Sequence, residues 1–217
     1  DETLPNEAGL KHYDEVIDEC HKYNIEPMIT ISHYEIPFGL IKKCNAWESR
    51  EMIDYYLNYC KTIFTRYKGK VKYWLTFNEI NSAIDPIGAA LSEGLINDLE
   101  NPTEFMNQPD IPQQRYQALH HMFVASALAV KMAKEIDSNY QIGNMVICSA
   151  SYPLTCNPDD VLANQAYNQM HSYLCSDVQA KGYYPYYAKR FFEKSGIEIL
   201  MEPEDEQILQ EGTVDYI

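Results

Sequence analysis

The sequence predicts an α/β fold built on parallel strands, and three observations carry that prediction. Helical and strand patterns alternate along the chain as α-β-α-β-α-β-α-β. The strand runs are short and nearly all apolar, as strands covered by helices on their faces must be. Two strands run straight into polar clusters, Ser32-His33-Tyr34-Glu35 and Asn78-Glu79 followed by Asn81. The alternation fits either a doubly wound sheet or part of a (β/α)8 barrel. No glycine-rich phosphate fingerprint follows any strand, so nucleotide binding loses its main support.

Residues 6–23 form the first helix, with Asn6 able to cap it and Leu10, Tyr13, Ile17 and Cys20 recurring on one face. Residues 25–31 are a β-rich apolar run and give the first strand. Residues 48–67 are helical, with Ile53, Leu57, Cys60, Phe64 and Tyr67 on the buried stripe, and residues 71–77 are the second strand. Residues 80–112, rich in Pro, Gly, Asn and Asp, read as a long loop with at most short helical turns. An irregular segment of that length inside a compact domain usually serves function. Residues 113–137 form the longest helix, 141–148 a third strand and 158–178 another helix begun by Pro158. Shorter helices are expected over 184–194 and 203–210, and residues 213–217 open a fourth strand.

Composition narrows the function classes. The chain has 217 residues, 46% of them apolar, enough for a sizeable core. Seventeen basic against 32 acidic side chains give a formal charge of −15, a field that disfavours nucleic acid and anionic membranes as partners. No apolar run reaches membrane-spanning length and no signal peptide opens the chain. Cys20, Cys44, Cys60, Cys148, Cys156 and Cys175 contain no C-x-x-C pair, which reads as reduced, buried thiols of a cytoplasmic protein. His120 and His121 are neighbours on a helix, about 100° apart, so they cannot chelate one ion and are expected to pack the core. Asp159 and Asp160 suit the positive end of a helix dipole.

Trp74-Leu75-Thr76-Phe77-Asn78-Glu79-Ile80-Asn81 resembles the T-[FL]-N-E motif of family 1 glycoside hydrolases. Its Ile80-Asn81 continuation is similar to the 6-phospho-β-glucosidase branch, whereas many other members of the family have Pro after the Glu. Ile31-Ser32-His33-Tyr34-Glu35-Ile36-Pro37 resembles the family's H-[WF]-[DE]-x-P segment. His120-His121, Tyr152-Pro153, Asn157-Pro158-Asp159-Asp160-Val161, Asp177-Val178 and Gly182-Tyr183-Tyr184-Pro185 extend the likeness, in order, over the whole chain.

The resemblance implies a partial TIM (β/α)8 barrel, about strands three to six, with residues 1–217 an internal piece of one glycosidase barrel domain. The nucleophile's T-E-N-G segment and a Ser/Lys/Tyr loop for the 6-phosphate would then lie outside this sequence. It further implies a retaining hydrolase with no metal or organic cofactor, acting on a phosphorylated β-glucoside. Retaining enzymes set two carboxyls about 5–5.5 Å apart, one an acid/base and one a nucleophile. By the motif Glu79 is the acid/base, Asn78 bonds the sugar 2-OH and His33 a glycone hydroxyl. Tyr34 stands where the family often has Trp or Phe, its ring packing either beneath the site or simply in the core. Glu35 is expected to form a structural pair. Side chains alternate along a strand, so Asn78 and Glu79 can act together only if the strand end twists or bulges. The chain by itself is expected to be inactive. Open sheet edges on a half-barrel predict self-association or a partly exposed core. A plain β-glucosidase, a 6-phospho-β-galactosidase and a non-catalytic sugar-binding α/β module remain the alternatives.

Overall fold

The computed structural model describes residues 4–217. The elements are α1 (Glu7–Lys22), β1 (Met28–Ser32), α2 (Phe38–Cys44), α3 (Met52–Arg66), β2 (Tyr73–Phe77), α4 (Pro86–Ser92), α5 (Pro112–Ile136) and β3 (Gln141–Gly143). They continue with α6 (Pro158–Asn168), a π-helical turn (Gln169–Tyr173), α7 (Leu174–Lys181), α8 (Tyr186–Ser195) and α9 (Asp205–Glu211). The strands lie in the order β1-β2-β3, all parallel, and Tyr216 adds a parallel bridge to Gly143. Each strand thus joins beside its predecessor. That sequential parallel order is the one a (β/α)8 barrel requires.

Apolar residues fix this layout. Trp74 and Phe77 of β2 are buried beneath α3, whose Tyr56 stacks on Phe77 with ring centroids 4.8 Å apart. Phe64 meets Trp74 edge-on at 5.0 Å. Helix α5 is buried on nearly every side because α3, α7 and α9 all pack on it. A polar chain crosses the core from β2 outward: Gln179 Nε2 donates to Ser126 Oγ at 2.6 Å, and Ser126 Oγ donates to Thr76 Oγ1 at 3.1 Å. Being fully satisfied, such a chain fixes the azimuth of α5 and α7 against the strand.

The strands are shorter than the apolar runs suggest, and hydrogen bonding explains why. Expected strand residue Ile25 instead donates its N–H to Cys20, closing the C-terminus of α1, and Pro27 has no N–H to offer a ladder. β3 ends at Gly143 because the following backbone pairs elsewhere: Met145 accepts from Ile80 N–H, and Ile147 bonds the side chain of Asn81. The fourth strand is a single bridge, held by Asp215 N–H to Ile142 O at 2.7 Å and Asn144 N–H to Tyr216 O at 2.9 Å. Gly143 is needed there, since a Cβ would stand 2.3 Å from the Tyr216 ring.

Helix α1 is capped by Asn6 as expected, its side chain accepting from Ala8 and Gly9 N–H. Of its expected face, Ile17 is buried, but Tyr13 is 57% exposed. Tyr13 borders a cavity of about 700 Å³ between α1, β1 and α3, so the apolar face of α1 is only partly covered. Helix α2 and the 3₁₀ turn Ala46–Glu48 were not expected. The loop over 80–112 does hold only short turns: Ile80–Ile84, α4 and Phe105–Asn107. The helix expected over 158–178 extends to Lys181 and carries the π turn within it.

Candidate active site

The two polar clusters meet at the C-terminal ends of β1 and β2. Ser32 and Phe77 are register partners, so Tyr34 and Glu79 each stand two residues beyond the last pair. Both leave their strands in the left-handed conformation, Tyr34 at φ 72° and Glu79 at φ 41°. For non-glycine residues that conformation costs about 1–2 kcal/mol each, so both turns must be held from outside. Glu35 holds the first: its two carboxylate oxygens accept from His33 N–H at 2.8 and 2.9 Å, and Ile36 N–H donates to Tyr34 O. The structural pair expected of Glu35 is thus made with backbone, not with a cation.

The second turn is held by the loop it opens. Ser82 N–H donates to Glu79 O at 2.8 Å. Asn81 is buried and clamps two distant segments, donating to Ile147 O at 2.9 Å and His171 O at 2.6 Å while accepting from Ile147 N–H at 2.8 Å. It therefore ties the Glu79 turn to the segment after β3 and to the π turn. The sequence marks Asn81 as part of the strand-end polar cluster and of the motif's continuation, but not as this clamp. Helix α4 presses on the same turn, because a Cβ at Gly88 would stand 1.9 Å from the Ser82 carbonyl oxygen.

These turns bring three of the four expected site residues together. Glu79 is partly exposed, and its Oε2 accepts the phenol O–H of Tyr34 at 2.5 Å. Asn78 is buried, its N–H donating to Ser32 O at 2.9 Å. The left-handed φ of Glu79 breaks the strand alternation just after Asn78, the kink the pair needed. His33 lies apart from that cluster: its ring is exposed, edge-on to Tyr34 with centroids 5.5 Å apart, and it borders the large cavity. Burial first, then the bond to the Glu79 carboxyl, push the Tyr34 phenol above the ordinary tyrosine value. The side chains of Ser82 and Asn78 act on it weakly in the opposite sense. The Tyr34 ring also walls an apolar pocket of about 410 Å³, with Phe38, Ile41, Leu91, Ile96 and Phe105.

Other titratable groups are built for structure. His120 Nδ1 faces Tyr184 Oη at 3.1 Å and its Nε2 faces Asp205 at 3.0 Å, while His121 Nδ1 faces Trp47 O at 2.9 Å. Burial lowers both histidines below the ordinary value, so each is a neutral packing group at neutral pH. The Glu93 carboxyl, at the C-terminal end of α4, is sealed from solvent with no hydrogen-bond partner among the described residues. Burial drives its carboxyl well above the ordinary range. The cysteines are all free, but only Cys60 and Cys175 are buried, and Cys148 and Cys156 are exposed. The expectation of uniformly buried thiols therefore fails where the chain leaves β3 for the loop before α6. Asp159 and Asp160 do occupy the first turn of α6, behind the Asn157 cap.

A half-exposed carboxyl, kinked off the end of a parallel strand beside a buried asparagine, is the arrangement that the T-F-N-E resemblance requires. The sequence profile of glycosyl hydrolase family 1 matches residues 1–217. The chain belongs to that family. Among curated relatives, it is 47% identical over 221 residues to an aryl-phospho-β-D-glucosidase of Bacillus subtilis (strain 168). It is 46% identical over 217 residues to a 6-phospho-β-glucosidase of Clostridium longisporum. All of this chain is covered in both matches, but only 44% and 43% of the relatives, so it spans less than half of their length. The solved structure of a family 1 β-glucosidase from Thermotoga maritima superposes with a TM-score of 0.79 at 25% identity, over 98% of this chain and 45% of that one. The family 1 fold is thus a partial (β/α)8 barrel here, and β1, β2, β3 and the Tyr216 bridge are four consecutive strand positions of it. Among the described residues, no helix is long and apolar enough to cross a membrane, and no cluster of three His, Cys, Asp or Glu could hold a metal ion.

Proposed function

We propose that the whole protein is a retaining 6-phospho-β-glucosidase of the cytoplasm, in which Glu79 is the general acid/base. The observation that carries this reading is the Glu79 carboxyl itself. It is held at a strand end by two clamped turns, in a chain 46–47% identical to relatives named for phosphorylated glucosides. In the first step Glu79 protonates the glycosidic oxygen as a partner carboxylate attacks the anomeric carbon. In the second it takes a proton from the water that releases the sugar. Asn78 bonds the sugar 2-OH, a contact that strengthens as positive charge grows on the ring. His33, exposed at the adjacent strand end, bonds a glycone hydroxyl. The T-E-N-G segment that would carry the nucleophile is not among these 217 residues, so this chain alone is inactive.

The test compares 4-nitrophenyl β-D-glucoside 6-phosphate with the unphosphorylated glucoside on the whole protein. The phosphorylated substrate should lead by at least about 100-fold in kcat/KM, the worth of roughly two charge-assisted hydrogen bonds. Proton NMR of the first-formed product should show the β-anomer. Equal rates on both substrates would return the assignment to a plain β-glucosidase.

The isolated chain should also self-associate. β1 is the outer strand of the described sheet, and its Met28 is 55% exposed. Unpaired strand edges recruit other strands. Light scattering at micromolar concentration should give a dimer or larger. A sharp monomer that unfolds cooperatively would contradict this.

A further inference from the structure

We propose that Tyr34 is the positioning residue of the acid/base: its phenol O–H donates to Glu79 Oε2 and leaves Oε1 free to face the scissile oxygen. This rests on the reading of Glu79 as acid/base and goes beyond it, because a residue expected to pack beneath the sugar instead acts through the carboxyl. The geometry is specific. The bond is 2.5 Å long and joins residues 45 apart in sequence. Both lie two positions past a register pair, and both adopt left-handed φ without being glycine. Strained non-glycine backbone facing its like across two strands marks a site where position outweighs local stability. Each turn is separately clamped, one by Glu35 on the His33 amide and one by Asn81 on the Ile147 backbone and His171 carbonyl. No hydrogen bond engages Glu79 Oε1 among the described residues, so one oxygen is fixed and the other is available.

The chemistry follows from that division. As the glycosidic C–O bond breaks, the proton on Oε1 passes to the leaving oxygen and Glu79 becomes a carboxylate. The Tyr34 hydrogen bond strengthens as that charge appears, so it favours the transition state over the ground state. In the second step the carboxylate takes its proton back from water as that water attacks the sugar. The phenol keeps its own proton throughout, and its raised pKa, set by burial and then by the Glu79 bond, holds it there. A tryptophan or phenylalanine at this position offers no such hydroxyl, so the device belongs to chains that carry tyrosine.

The test is Tyr34→Phe in the whole protein, read as a pH profile. Without the donor, the carboxylate that forms as the leaving oxygen is protonated loses its hydrogen bond from Tyr34 and is less favoured. The alkaline limb of kcat/KM should rise by about one pH unit. On a substrate with a poor leaving group kcat should fall about tenfold, with KM within about twofold. If Tyr34→Phe does not fold, 3-fluorotyrosine at position 34 keeps the hydroxyl and strengthens it as a donor, and the alkaline limb should then move down. A limb that stays in place in the variant that folds would overturn the assignment of Tyr34. The reading of Glu79 fails by a different sign, undiminished turnover in Glu79→Gln.

Discussion

Glu79→Gln in the whole protein should lower kcat/KM by about 10³-fold on substrates with poor leaving groups, and far less on an activated aryl glucoside. General acid catalysis contributes roughly 10² to 10⁴ in rate, and glutamine preserves the shape of the side chain while removing the transferable proton. An activated phenolate leaves without protonation, so its first step does not need the acid. The second step still lacks a base, and the glycosyl-enzyme should accumulate as a burst. Glu79→Ala should then be rescued by azide, which attacks without a base and gives the β-glycosyl azide. The structure makes the substitution clean. Glu79 has one hydrogen bond to a side chain, from Tyr34, and its backbone turn is held by Ser82 N–H and the neighbouring Asn81 clamp. Thermal stability should therefore change by less than about 1 kcal/mol. Normal turnover of a poor-leaving-group substrate by Glu79→Gln would remove Glu79 from the mechanism.

What the sequence discloses about this site is its chemistry, and what it withholds is its geometry. Trp74 to Glu79 can be read as a buried strand ending in a working carboxyl, because apolar content and motif both sit in one contiguous run. The need for a kink at Asn78-Glu79 was also legible, since strand alternation alone forbids the pair from cooperating. That the kink would be a left-handed residue, and that Tyr34 would meet it, was not. No local preference places a tyrosine at φ 72°, and the contact depends on the register of β1 against β2. Strand limits failed for a related reason. Ile25 and Ile147 are β-formers by type, yet their backbone groups are taken by the end of α1 and by Asn81. Helix α2 escaped notice because seven residues opened by Pro37 and containing Gly39 show too little periodicity to read. The barrel winding required the observed strand order, as alternation is shared by both parallel architectures.

Asp205→Ala should destabilise the fold by about 3 kcal/mol, a drop in Tm of roughly 6–12 °C for a chain of this size. Asp205 is fully buried at the start of α9, where it accepts from Arg50 at 2.9 and 2.5 Å, faces His120 Nε2 at 3.0 Å and accepts from Glu202 N–H at 2.8 Å. Removing it strands a buried imidazole and a guanidinium together. The cost stays at the lower end for a broken buried pair because the Arg50 side chain is 34% exposed and water can reach it. The pH dependence has a definite sign. Burial alone would raise the Asp205 carboxyl, but the Arg50 and His120 hydrogen bonds and the Glu202 amide outweigh it and hold it below the ordinary value of 3.8. Its contribution is therefore complete above that value and lost as pH falls through the lower, folded one. His120, lowered by burial, is neutral in the fold, so acid protonates the unfolded chain first and costs stability from about pH 6.5 downward. Wild type and variant should differ by a constant amount above about pH 7, where His120 is neutral in both the folded and unfolded chain, and the difference should shrink below about pH 4 as the Asp205 carboxyl protonates, read in urea titrations. A difference undiminished at about pH 2 would refute the assignment. Since Asp205 locks α9 to α5 through His120, and Ser126 of α5 holds Thr76 two residues before Asn78, loosening this lock should also reach the site. Its signature in the whole protein would be a lower kcat at unchanged pH limbs, which separates a support from an acid.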